Sequence, residues 1–153
     1  MIKSLKKIGS RLKNIQNREY IISEESAMDE ICKFLDYYDI DIASLEMTEN
    51  TEIAGERILD SLIKYYRLGK LKNKEDEKGF QVIQTLKSGQ EITYSEITAL
   101  KKRSMDKLET KEQYGKLHSL MGALCGLGLD GVDKLHATDL AVLEVLGSIF
   151  LLV

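Results

Sequence analysis

The chain has 153 residues, 43% of them hydrophobic and 31% charged, with a net charge of −3, two cysteines and no proline. That composition excludes a disordered, collagen-like or disulfide-stapled chain and predicts a soluble globular protein of one ordinary or two very small domains. The small net charge hides segregation: residues 1–18 carry six basic side chains and no acid, whereas residues 19–60 carry thirteen acids against Lys33 and Arg57, so faces of opposite sign are expected to steer association.

In chain order, Ile2, Leu5, Ile8, Leu12 and Ile15 recur at spacings of three and four and predict a short amphipathic helix over residues 2–16 with a basic polar face. Its simplest role is docking on an acidic surface; a partner protein, a membrane surface or nucleic acid are the other surfaces it suits. Ser23 followed by Glu24 and Glu25 predicts the next helix start, because the hydroxyl caps and the acids favour the positive end of the dipole. That helix buries Ala27, Ile31, Phe34, Leu35 and Tyr38 and ends at Asp39-Ile40-Asp41. A further helix runs from near Thr51 through Ile58, Leu62 and Tyr66 to Gly69, a left-handed cap.

Residues 70–78 are charged and read as a surface linker, which divides the chain into residues 1–69, a linker over 70–79 and residues 80–153. Residues 80–86 and 91–94, β-branched and aromatic around Lys87-Ser88-Gly89-Gln90, predict a β-hairpin. Ser95-Glu96 opens the next helix, and Thr110-Lys111-Glu112-Gln113 has the pattern of a capping box. Tyr114, Leu117, Leu120, Met121, Leu124 and Cys125 hold one apolar stripe up to Gly126, and the last helix starts after Thr138 or Asp139. The expected fold is mostly α, helical with one short β-hairpin near the middle of the chain.

Residues 126–131 read GLGLDG, the spacing of a dinucleotide-binding turn. That fingerprint needs a strand entering it, a long helix leaving it and an acid about 20 residues on. Here the approach is helical and residue 151 is Leu, so the glycines form a helix–helix joint and no nucleotide cofactor is expected. His118 and His136 stand far apart with no acid or cysteine at ligand spacing, and Asp36, Asp39 and Asp41 lack the glycine and later Glu of a calcium loop. No nucleophile–base arrangement emerges, so neither a catalytic nor a metal site is expected.

The last helix is apolar nearly all round, whereas a surface helix keeps a polar face. It is buried either in its own domain or against a partner or a second copy of the chain. At fourteen residues, positions 140–153 fall short of the roughly 20 that span a bilayer, and the basic N-terminus has no signal-peptide core.

The order of residues 80–153 resembles a known family. A hairpin ending Glu91-Ile92-Thr93-Tyr94 precedes a basic helix around Lys101-Lys102-Arg103. A Leu-rich helix then closes on Leu124-Cys125-Gly126-Leu127, Leu135 is spaced to Asp139-Leu140, and a terminal helix reaches Ile149-Phe150-Leu151. This is similar to the small tail-assembly chaperones of tailed bacteriophages, especially those with contractile tails; residues 1–79 lie outside the resemblance. It implies binding without catalysis, in the cytoplasm of the host bacterium, to tape-measure and tail-tube proteins. An apolar groove or helix would cover the tape measure's apolar face. Leu117, Leu120, Met121 and Leu124, with Leu140, Leu143, Leu146, Ile149 and Phe150, are the candidate contact residues. The alternatives are a nucleic-acid-binding or regulatory protein using residues 3–13 or Lys101-Lys102-Arg103, and a structural component retained in the virion.

Overall fold

The computed structural model describes residues 20–41, 58–77, 79–103, 113–151 and 153. The basic helix expected over residues 2–16, the helix start near Thr51 and the capping box at Thr110 lie outside them.

Helix α1, Glu24–Tyr37, begins where the sequence places it: Ser23 is the N-cap, and its Oγ accepts the amide of Ser26 at 3.1 Å. Replacing that hydroxyl, Ser23→Ala, is expected to cost about 1 kcal/mol of folding free energy in urea titration. Its buried stripe is Ala27, Ile31, Phe34 and Leu35, with Tyr38 packed against it. Helix α2, Ile58–Arg67, buries Ile58, Leu62, Tyr65 and Tyr66. Gly69 ends it at φ +75°, and the amides of Gly69 and Lys70 turn back to the carbonyls of Tyr66 and Tyr65. Those paired bonds close the orphan carbonyls of the last turn and require the left-handed glycine.

The segment expected to be a linker is a strand. β1, Leu71–Asp76, pairs antiparallel with β2, Gly79–Thr85, which pairs antiparallel with β3, Glu91–Tyr94. The expected hairpin is therefore part of a three-stranded sheet in the order β1-β2-β3. The charged run misleads because β1 is an edge strand, where charged residues are tolerated and guard against association. Its inward positions are spent on Leu71, buried, and Asn73, half-buried. The register aligns Leu71, Gln84 and Ile92, then Asn73, Val82 and Tyr94, on the face turned to the helices. Lys72, Ile83 and Thr93 share the opposite face, where Lys72 Nζ reaches across β2 to Glu91 Oε1 at 2.8 Å.

The next helix, α3, Ala99–Lys102, is capped by Thr98 and not by Ser95. Ser95 instead donates its amide and hydroxyl to the carbonyl of Leu124, near the end of α4, Gln113–Cys125. Gly126 at φ +79° turns the chain into α5, Gly128–Asp133, and α6, Ala137–Phe150, follows. Of the three glycines only Gly126 lies between helices; Gly128 opens α5 and Gly131 lies within it, a short helix where the sequence reading expects a joint. The cap of α6 is His136, whose Nδ1 accepts the amide of Thr138 at 3.2 Å, two or three residues before the expected caps Thr138 and Asp139.

One core joins both sides of residues 70–79. Phe34 of α1 meets Phe80 of β2 at 6.0 Å and Phe150 of α6 at 5.5 Å between ring centroids, and Tyr38 meets Phe150 at 5.6 Å. Val142, Leu143, Val145, Leu146, Gly147, Ile149 and Phe150 are all buried. The all-round apolarity of the last helix is thereby accounted for within the chain. The N-terminal helices supply the cover that residues 80–153 would struggle to provide alone.

Candidate functional site

The structure brings the nine expected contact residues together, but inward. Leu117, Leu120, Met121 and Leu124 of α4 and Leu143, Leu146, Ile149 and Phe150 of α6 are buried, and Leu140 is half-buried against the same cluster. They are the α4–α6 core and not a groove. A charge at Leu143 or Leu146 is now expected to abolish folding itself, read as loss of far-UV circular dichroism, because an unpaired charge in an apolar interior costs several kcal/mol.

Two glycines set the spacing of this core. A Cβ on Gly147 would lie 2.7 Å from Leu117 Cδ2 and 2.8 Å from its Cγ, so α6 crosses α4 at that point. A Cβ on Gly122 would lie 2.7 Å from the carbonyl carbon and oxygen of Gly128, which brings α4 against the start of α5.

Beneath the sheet runs a buried polar chain that hydropathy gives no hint of. Tyr94 OH donates to Gln84 Oε1 at 2.6 Å, and Gln84 Nε2 donates to the Asp139 carbonyl at 2.9 Å. The Asp139 carboxylate accepts the amide of Lys87, in the β2–β3 turn, at 2.9 Å. The aspartate of the Leu-x-x-x-Asp-Leu step therefore fastens the last helix to the hairpin. His118 of α4 has Nε2 3.2 Å from Glu144 Oε1 of α6. Cys125 is half-buried, and burial raises its thiol above the usual range. Lys101 donates to the carbonyl of Ala123 at 3.1 Å, which fixes this member of the basic cluster on the end of α4.

Burial also raises the phenols of Tyr94 and Tyr66 far above the usual tyrosine range; Asp139 and Cys125 add to the first and Glu30 to the second. The fold holds the neutral phenols. Their stabilisation is complete below about pH 10, the unfolded value, and is lost as pH rises beyond it. Alkaline titration should show tyrosinate absorbance from these two rings appearing together with the loss of helical dichroism.

Among the described residues an open cleft of about 480 Å³ lies between α1 and β1. Its floor is the ring of Tyr66 with Leu71, its rim Ile21 and Ile22, and its α1 wall Ser26, Asp29, Glu30 and Lys33. Tyr66 OH donates to Asn73 Oδ1 at 2.6 Å, while Asn73 Nδ2 donates to the carbonyl and carboxylate of Glu30 at 2.7 and 3.1 Å. The clamp fixes the width of the cleft and leaves its polar atoms paired. Sequence reading misses it because one wall, Leu71, Lys72 and Asn73, belongs to the supposed linker.

Among the described residues no cluster of His, Cys, Asp or Glu could hold a metal ion, and no helix is long and apolar enough to cross a membrane. The molecule is a mostly helical domain with a three-stranded antiparallel sheet, whose accessible features are surfaces: a cleft and a few exposed apolar side chains. No family model, curated protein or solved structure matches the chain.

Proposed function

We propose that the protein is a non-enzymatic tail-assembly chaperone of a tailed bacteriophage, acting in the host cytoplasm on tape-measure and tail-tube proteins. The observation that carries this reading is the likeness of residues 80–153 to that family. In favour of it, the elements the likeness names pack as a unit: the hairpin, the Leu-rich α4, the glycine joint and α6, fastened through Asp139. With the expected contact residues in the core, binding falls to apolar side chains that this half leaves in water. Among the described residues those are Leu129 of α5, 38% exposed, and Leu151 after α6, 46% exposed. Exposed leucines of this kind suit the apolar face of a long helical partner.

The test is capture of the tagged full chain from cells making its native partners, followed by mass spectrometry. Recovery of a long helical polypeptide and a tube-type subunit is expected. Leu129→Glu combined with Leu151→Glu should reduce that recovery at least about tenfold while thermal unfolding stays unchanged. Recovery of nucleic acid and no protein would overturn the reading.

A further inference from the structure

The cleft between α1 and β1 begins where the described part of the chain begins. Tyr20 stacks on the Arg67 guanidinium at 4.0 Å, and the amide of Ile21 donates to the Arg67 carbonyl at 2.7 Å. Ile21 and Ile22, which follow at once, form the rim, and Ile21 stays 70% exposed. An apolar side chain held at that exposure beside an apolar floor is a contact half made. The α1 wall carries Asp29 and Glu30 with Lys33, and the rest of α1 adds Glu24, Glu25 and Asp36 and no further base. Lys33 is itself 3.1 Å from Glu30, and Lys72, on the far wall, reaches away to Glu91.

An occupant for such a cleft needs an apolar row flanked by basic residues and must reach the rim at Ile21. Residues 2–16 have that chemistry. Ile2, Leu5, Ile8, Leu12 and Ile15 make the row, with Lys3, Lys6, Lys7, Arg11 and Lys13 around it and no acid before residue 19. They also join the chain at the rim, so docking costs only a short loop closure. We propose that this cleft is the docking site of the chain's own residues 2–16, apolar side chains toward Ile21, Ile22, Tyr66 and Leu71 and basic ones toward the acids of α1.

The experiment is limited trypsin digestion of the intact chain beside a free peptide of residues 1–18. Cleavage after Lys6, Lys7, Arg11 and Lys13 should be at least about tenfold slower in the chain, independent of its concentration. Equal rates overturn the proposal, and protection that grows with concentration overturns it in favour of a second copy as occupant. Ser26→Trp, which fills the cleft from an exposed position on α1, should restore the peptide's rate; persisting protection places the segment elsewhere. Should that variant not fold, a nitroxide on Leu5→Cys, in a chain carrying Cys32→Ser and Cys125→Ser, gives the location directly. It should broaden the amides of Ser26, Asp29 and Asn73, and sharp signals there refute the docking.

Discussion

Gly122→Ala should destabilise the fold by about 3 kcal/mol, although alanine is the better helix former by about 1 kcal/mol. The added methyl would lie 2.7 Å from the carbonyl carbon and oxygen of Gly128 and 3.2 Å from its Cα, all backbone atoms with no rotamer to give. Relief means moving α5 away from α4, which opens the packing around Val132, a residue with no exposure at all. Urea titration of the pure variant measures the effect. Gly147→Ala is the comparison: its methyl meets side-chain atoms of Leu117 and Met121, which can shift, so a loss nearer about 1 kcal/mol is expected. A Gly122→Ala chain as stable as the parent would mean that the two helices do not approach as described.

The second large effect belongs to Gln84. Gln84→Leu conserves volume, yet it strands the Tyr94 hydroxyl in the interior and removes a donor from the Asp139 carbonyl. A buried hydroxyl without a partner costs about 1–3 kcal/mol, and the lost bond adds to that, so a total of about 3 kcal/mol is expected. Tyr94→Phe alone should cost about 1 kcal/mol in the parent but regain about 1–3 kcal/mol beside Gln84→Leu, because there it removes a hydroxyl with nothing to bond. Equal costs in the two backgrounds would show that the pair does not interact.

The sequence discloses the helices well and the sheet only in part. Ser23, with two acids behind it, and Gly69, at the end of an apolar stripe, are local signals, and local chemistry alone decides those helix ends. β1 fails the same test because its strand character comes from pairing with β2, a partner whose contribution no window on residues 70–78 contains. Ser95 and Glu96 mislead for a related reason. They have the composition of a helix start, yet Ser95 closes the end of α4 and Glu96 accepts from Tyr37 and from the Phe80 amide. The apolar character of α6 is plain in the sequence, but what covers it is not. That depends on Phe34 and Tyr38, more than a hundred residues earlier. The same gap turns core residues such as Leu143 and Leu146 into apparent contact residues. The cleft is illegible for want of β1.

The ring contacts that tie Phe34 to Phe150 also impose an order on the life of the chain. During synthesis, α1 emerges with Phe34 and Tyr38 uncovered, and the Phe150 ring that meets them is made more than a hundred residues later. A polypeptide interrupted before residue 137 would have the sheet but no Asp139 to fasten it. It would present Leu117, Leu120, Met121 and Leu124 bare to its surroundings. Stable structure therefore waits for α6 and forms all together, through contacts between distant positions that close slowly.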